Sequence, residues 1–286
     1  MSPEPPAATL DPLVPVLSLA ERPKRPDAVE TAFQVALLSL RRGLRGKRFL
    51  ASLAVVALPL LISLLVGSQA EPAEQEEFYY GVVSVLHFGV IVPFVALLHA
   101  TSFPWPEAEE GTLTYWFTAP VWRWAVHLGR FAAAWLLGTL VLPLAVLAIG
   151  LPLDLPEAAE MGSVLRSTVT ATLLAYPAYL AVFWCVSTLL RHGMALGLVF
   201  ILVENSVAAV TGNVKRVTLV HYVRSVIWPA VPAGSRGRAK ELLLLGEPAG
   251  VGVSIAVFAS ATVVALLLAL VLVQVTEYRG RTSQPG

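Results

Sequence analysis

Long apolar runs alternate with short polar segments along this chain. A helix that crosses the roughly 30 Å hydrocarbon core of a bilayer needs about 20 mostly apolar residues, and six runs meet that requirement. They are residues 49–67, 80–100, 131–151, 164–190, 193–211 and 250–275. Each is predicted to be helical, because lipid offers no partners for unpaired backbone groups and no alternating barrel pattern occurs. The pattern therefore predicts an all-α integral membrane protein with six transmembrane helices.

A different periodicity precedes the first run, in residues 27–48. Apolar residues recur on one helical face at Phe33, Leu37, Leu40 and Leu44, and polar residues fill the other at Glu30, Gln34, Arg41, Arg45 and Arg48. Such an amphipathic pattern with a basic end is typical of a helix lying in the membrane interface. Asp27, just after Pro26, is the predicted cap. The six spans are therefore expected to follow an amphipathic interfacial helix.

Four prolines fall inside predicted spans, at Pro59, Pro93, Pro143 and Pro177. In a membrane helix a proline predicts a kink whose freed backbone groups are satisfied by neighbouring helices. We therefore expect these spans to continue through their prolines.

The composition agrees with a membrane protein. Mean hydropathy is +0.72, and only 14% of the 286 residues are charged, against about 25% in soluble domains. A net charge of +1 gives no sign of nucleic-acid binding. The single cysteine, Cys185, excludes an intramolecular disulfide. Membrane lipid is thus an expected partner, and nucleic acid is not.

Charges near the span ends predict the orientation. Basic residues cluster before the first span, at Arg41, Arg42, Arg45, Lys47 and Arg48, whereas the next loop carries only acidic charges, at Glu71, Glu74, Glu76 and Glu77. Because basic loops stay on the cytoplasmic side, both termini are predicted to be cytoplasmic. The proline-rich residues 1–26 are expected to form a disordered cytoplasmic tail, and residues 27–286 a single membrane domain.

The charge distribution of segment 212–249 disagrees with this orientation. The segment is predicted to lie outside, yet it carries the basic residues Lys215, Arg216, Arg224, Arg236, Arg238 and Lys240. Long loops follow the positive-inside rule less strictly. An apolar stripe at Leu219, Val220, Val223, Val226 and Ile227 predicts a short helix packed at the outer surface or dipping into the membrane. The basic charges either meet anionic lipid, cargo or a partner protein, or are simply solvated.

A compact charged and aromatic segment, residues 101–130, separates the second and third runs. Pro104 and Pro106 end the second run, Gly111 permits a tight turn, and Thr112 can cap a following helix. The carboxylates of Glu107, Glu109 and Glu110 are expected to face water, available for basic residues of a soluble partner. Physical reasoning alone also allows an interfacial loop whose charges only avoid lipid.

The motif in this segment resembles the cytoplasmic coupling loop of type-2 ABC transporter permeases. The matching positions are Glu107, Glu109, Gly111, Thr112, Leu113, Pro120 and Arg123. The resemblance implies that residues 101–130, Glu110 included, couple the spans to a separate cytoplasmic ABC ATPase. It further implies two ATPase copies and a second permease copy, as a homodimer or a related heterodimer. The chain has no P-loop of its own, so ATP and Mg are expected on the partner ATPase and no cofactor on this chain.

Glu204 and Asn205 are polar residues inside the predicted fifth span. A charge in lipid costs at least a few kcal/mol, so both should face the bundle or a wet cavity. They either line a translocation pathway, with Glu204 contacting cargo or relaying protons, or form interhelical hydrogen bonds. No catalytic or metal-ligand spacing occurs, so the chain is expected to be a transporter subunit and not an enzyme.

The expected function is the permease of an ATP-driven ABC transporter, an exporter by resemblance, in a bacterial or archaeal plasma (inner) membrane. Three alternatives remain open. An ion-coupled secondary transporter would use Glu204, although no internal repeat is evident. A membrane enzyme acting on lipids would need clustered polar residues that are dispersed here. An ABC complex could instead transmit mechanical work across the membrane.

Overall fold

The computed structural model of the chain describes residues 26–111, 121–153, 158–210 and 212–276. All regular structure within these ranges is helical, as predicted. The predicted tail before residue 26 lies outside the described residues.

Within the described ranges, five helices are long and apolar enough to cross a membrane, and each overlaps a predicted span. They are α2 (Lys47–Gly67), a composite second span (Glu74–Glu109), α6 (Arg123–Gly150), α7 (Ala158–Leu189) and α11 (Val251–Val275). The third of them, α6, begins at Arg123, eight residues before the predicted start at residue 131, so the end of the predicted loop 101–130 is helical. The remaining predicted span forms a shorter apolar helix of 17 residues, α8 (Gly193–Ala209). Six membrane crossings therefore stay a prediction.

The second span consists of several helical pieces. It begins as α3 (Pro72–Gly81), widens into a π-helical segment at Val82–Ile91, and returns to α-helix as α4 (Val92–Ala100). A short helix, α5 (Trp105–Glu109), follows after a turn. The predicted break near Pro104 and Pro106 is therefore observed, and α5 carries the first carboxylates of the charged segment.

The helix before the first span is α1 (Ala28–Leu44), which is shorter than the predicted range 27–48. Asp27 caps it as predicted, because its carboxylate accepts a hydrogen bond from the Val29 N–H at 3.4 Å. Lys47 and Arg48 belong instead to α2, which begins after Gly46.

One face of α1 packs against α6, through the buried residues Thr31 and Val35 and the backbone around Ala32. Two residues of the predicted apolar stripe point away from the protein, since Phe33 is 64% exposed and Leu44 41% exposed. An exposed apolar stripe fits contact with lipid, so an interfacial position remains the interpretation of this helix.

Gly129 permits the close approach of α1 and α6, because a Cβ at this position would overlap the carbonyl oxygen of Ala32. We expect Gly129→Ala to destabilise the protein by about 1–3 kcal/mol, as overpacked sites do. Thermal melting in detergent measures the effect. Gly162→Ala is the matched control: it is also helical, but nothing lies within 4 Å of its added Cβ. Equal melting of the two variants would contradict the packing argument.

The core of the bundle lies around α7, whose residues Tyr176, Tyr179, Phe183 and Trp184 are buried. The Tyr176 hydroxyl donates a hydrogen bond to the carbonyl of Ala134 on α6 at 2.8 Å. In contrast, α2 and α11 lie at the periphery. Only 22% and 11% of their most apolar 18-residue stretches are buried, so both helices expose wide apolar surfaces.

The segment after α8, which is predicted to lie outside, contains the predicted short helix, α9 (Leu219–Ile227), and a second one, α10 (Arg236–Leu242). The predicted apolar stripe of α9 is buried against α7, α8 and α11 at Val220, Val223, Val226 and Ile227. This segment is therefore an integral part of the bundle and covers one end of it.

Candidate functional site

The charged segment places three carboxylates at one end of the second span, in different environments. Glu107 is buried, whereas Glu109 and Glu110 are exposed. Gly111 follows with a positive φ of 73°, in the turn that the sequence predicts. Thr112, Leu113 and Pro120 lie outside the described residues, and Arg123 is the first residue of α6.

Glu107 does not face water, and the sequence expectation is wrong at this position. Its side chain is 7% exposed and forms an ion pair with Arg130 on α6. Arg42 on α1 approaches the same carboxylate oxygen at 3.8 Å. A carboxylate removed from water needs such partners, since an uncompensated buried charge is costly. Glu107 therefore joins α5, α6 and α1, and it is not available at the surface.

Phe103 helps to place the guanidinium of Arg130. Its ring centroid lies 4.8 Å from the guanidinium carbon, within the range of a cation–π contact. Phe103 is buried in the turn between α4 and α5 and also stacks on Trp184 of α7, with ring centroids 6.2 Å apart. The Glu107–Arg130 pair is thus held by aromatic residues of the bundle core.

Glu109 makes a second ion pair, at the surface. Its carboxylate accepts hydrogen bonds from Nε and Nη2 of Arg191 at 2.9 and 2.6 Å. Arg191 lies in the turn between α7 and α8, and both side chains remain partly exposed, at 49% for Glu109 and 33% for Arg191. This pair connects α5 to two further helices while leaving part of its surface accessible.

A cleft of about 310 Å³ opens beside this second pair. Arg48, Glu109 and Arg191 line its polar side, and Leu98, Trp105 and Met194 line its apolar side. Arg48 is anchored there by a hydrogen bond from Nη1 to the carbonyl of Leu98 at 3.1 Å.

A second cluster lies inside the bundle, around Glu204 and Asn205 on α8. The carboxylate of Glu204 accepts hydrogen bonds from the Tyr179 hydroxyl at 2.9 Å and from the Val220 N–H at 3.1 Å. The Asn205 amide donates to the carbonyl of Gly89 at 2.6 Å. Both residues therefore form interhelical hydrogen bonds, which is one of the two interpretations left open by the sequence.

Arg224 on α9 completes this cluster. The sequence pattern identifies it only as one of the basic residues of segment 212–249 and does not predict its burial. Arg224 is buried, and its Nη2 donates to the carbonyl of Ser84 in the π-helical segment at 3.1 Å. Burial lowers the pKa of Arg224 to about 10, while the nearby Tyr179 and Glu204 act to raise it, so the guanidinium stays charged at neutral pH. The idea that all basic residues of segment 212–249 are solvated is therefore wrong for Arg224.

Other basic residues of the outer segment have partners close by. Arg216 pairs with Glu247 at 2.8 Å, and Arg238 pairs with Glu77 at 2.9 Å. Lys215 donates to the carbonyl of Leu244 at 3.0 Å. Much of the positive charge that opposed the predicted orientation is therefore neutralised or engaged within the protein.

Within the described ranges, no group of three or more His, Cys, Asp or Glu residues is arranged to hold a metal ion. The five helices in the described part of the chain that are long and apolar enough to cross a membrane indicate a multi-pass helical membrane protein. Residues 44–206, more than half of the 286 residues, match the model of the ABC-2 family transporter proteins. The chain therefore belongs to the ABC-2 transporter family.

Membership makes the chain a permease subunit of an ABC transporter, a class that works with an ABC ATPase and is not itself catalytic. It confirms the family that the motif around Glu107 predicts. A comparison with curated proteins gave no match.

Proposed function

We propose that this chain is the membrane half of an ATP-driven exporter, energised by a separate ATPase that contacts its cytoplasmic charged segment. The observation that carries the proposal is the way α5 is tied to the bundle. Glu107 joins it to α1 and α6, and Glu109 joins it to the α7–α8 turn. A displacement of α5 by a partner would therefore act on several spans at once.

The accessible part of this segment is the proposed ATPase contact. Glu109 and Glu110 are exposed, and Trp122, just before Arg123, is 41% exposed. Arg123 and the motif positions Gly111, Thr112, Leu113 and Pro120 are assigned to the same contact. Glu107 supports the contact from within, because its carboxylate is occupied by Arg130.

The proposed complex contains two ATPase copies, which bind ATP and Mg, and a second permease, in a bacterial or archaeal plasma membrane with both termini of the chain cytoplasmic. The exposed apolar surfaces of α2 and α11 support a lateral partner as well as lipid contact. The basic cluster between Arg41 and Arg48, set against the acidic loop at Glu71–Glu77, supports this orientation.

Reversing the exposed carboxylates tests the coupling assignment. We expect Glu109→Lys with Glu110→Lys to abolish co-purification of an ABC ATPase from native membranes in mild detergent. Loss of an exposed ion pair such as Glu109–Arg191 typically costs about 0.2–1 kcal/mol, so the variant should still fold. Mass spectrometry identifies what is retained.

Glu30→Lys on α1 is the matched control, because it reverses another exposed carboxylate on the same predicted side. It should retain the ATPase. Retention of the ATPase by the Glu109 and Glu110 double variant, in a properly folded state, would overturn the assignment of the contact. Absence of any ATPase from the unmodified chain would overturn the function itself.

A further inference from the structure

The π-helical segment Val82–Ile91 interrupts the second span at a proline. In an α-helix the carbonyl of Gly89 would accept a hydrogen bond from the N–H of residue 93, but Pro93 has none. The backbone instead adopts longer hydrogen bonds, such as that from the Val92 N–H to the carbonyl of His87, five residues earlier. π-Helical stretches are rare in proteins, and many of those that occur lie at functional sites.

Polar side chains from three other helices hold this segment. Asn205 on α8 donates to the Gly89 carbonyl at 2.6 Å, and Arg224 on α9 donates to the Ser84 carbonyl at 3.1 Å. The His87 ring is hydrogen-bonded to the Thr172 hydroxyl on α7 at 2.9 Å. Backbone carbonyls inside a membrane need such partners, because lipid supplies none. The π-helical form is therefore satisfied by groups outside the span.

Gly89 is required for the contact with Asn205. A Cβ at position 89 would overlap the amide oxygen of Asn205. The absence of a side chain lets α8 approach the backbone of the second span at the level of the carbonyl freed by Pro93. Three residues, Gly89, Pro93 and Asn205, thus form one structural device.

The segment Val82–Ile91 connects the two clusters described above. On one side the second span ends in α5, where Glu107 and Glu109 pair with Arg130 and Arg191. On the other side, Arg224 connects the segment to α9, which Glu204 also holds through the Val220 N–H. Any change in the winding of Val82–Ile91 turns these two ends of the span relative to each other.

We propose that the segment Val82–Ile91 switches between π-helical and α-helical hydrogen bonding, and that this switch carries the movement of α5 to the outer helix α9. Both forms pair the same backbone donors within the span, so exchange keeps most hydrogen bonds. Asn205 and Arg224 select the π-helical form through the Gly89 and Ser84 carbonyls. The inference rests on the proposed energising of the chain by an ATPase.

The distance between two labels that flank the segment distinguishes its π-helical form from its α-helical form. Spin labels on Glu74→Cys and Leu98→Cys, in a Cys185→Ser background that removes the single cysteine, flank the segment. A continuous α-helix over these 24 positions would separate the two Cα atoms by about 36 Å. The wider π-helical turns shorten this distance. We expect the shorter distance in the nucleotide-free complex in nanodiscs, and lengthening when ATP is trapped on the ATPase.

Pro93→Ala tests the switch without nucleotide. The new N–H can pair with the Gly89 carbonyl, so we expect the α-helical form and the longer distance at rest. Pro143→Ala is the matched control, since Pro143 lies inside α6, where the helix is α throughout, and it should leave the distance unchanged. Unchanged short distances in Pro93→Ala would overturn the proposal.

Asn205→Ala provides a second test should Pro93→Ala fail to fold. Loss of the amide donor to Gly89 should deplete the short-distance population. Ser206→Ala is its control, because the neighbouring Ser206 is exposed and bonds only to Leu202 of its own helix among the described contacts. A short distance that persists in Asn205→Ala would count against the proposal.

The experiment with trapped ATP distinguishes a failure of the proposed switch from a failure of the proposed function. If the ATPase binds and hydrolyses ATP while the distance stays short, the switch is not part of the cycle and the inference fails. If no ATPase binds, the proposed function fails, and the nucleotide-free comparison of Pro93→Ala with Pro143→Ala still decides whether the segment can switch.

Discussion

Glu107→Gln is expected to lower the stability of the protein by about 3–5 kcal/mol, the usual cost of removing one partner from a buried ion pair. The substitution keeps the size of the side chain but removes its charge, which leaves the largely buried guanidinium of Arg130 without compensation. Thermal melting in detergent, followed by size-exclusion chromatography, measures the loss.

Glu110→Gln is the control for this prediction, because Glu110 is exposed and surface substitutions usually change stability by less than about 0.5 kcal/mol. A combined Glu107→Gln and Arg130→Gln variant should be less destabilised than the sum of the single ones, since the uncompensated charge is gone. Melting of Glu107→Gln at the temperature of Glu110→Gln would show that the pair does not stabilise the fold.

Glu204→Ala is expected to have an effect of similar size, concentrated in the outer segment. It leaves the Tyr179 hydroxyl and the Val220 N–H without their acceptor, and each buried donor left without a hydrogen-bond partner costs about 1–3 kcal/mol. Hydrogen exchange in α9 should rise together with the fall in melting temperature. Unchanged exchange in α9 would contradict the idea that Glu204 holds this helix.

Glu204→Gln separates a structural role of Glu204 from proton transfer. Glutamine keeps an acceptor oxygen for Tyr179 and Val220 but cannot carry a proton, so we expect a stable protein with ATP-coupled activity retained. A stable variant that has lost coupled activity would instead favour the ion-coupled alternative.

The positions of the membrane helices were largely predictable, because hydrocarbon thickness fixes the length of an apolar run. The apolar pattern predicts the first run at 49–67, and the helix is Lys47–Gly67; it predicts the last run at 250–275, and the helix is Val251–Val275. The Asp27 cap and the short helix at Leu219 were also predictable, since both depend on local patterns.

The pairing of charges was not predictable, because it depends on how distant segments pack. Glu107 and Arg130 are 23 residues apart, and nothing in the local pattern shows that the carboxylate turns inward to meet the guanidinium. Arg224 lies in a basic outer segment, yet it is buried against Ser84, 140 residues away.

For the π-helical segment the sequence does contain a signal. Pro93, four residues after Gly89, predicts that the Gly89 carbonyl lacks its usual backbone donor.

Glu204 and Asn205 are neighbours in sequence, and their side chains leave α8 about 100° apart. One bonds to α7 and α9, the other to the second span. Because both project from a single rigid helix of 17 residues, a rotation of α8 breaks or makes these contacts at the same time. The outer helix and the second span should therefore respond to a perturbation as one cooperative unit, with a single transition seen by probes placed on either.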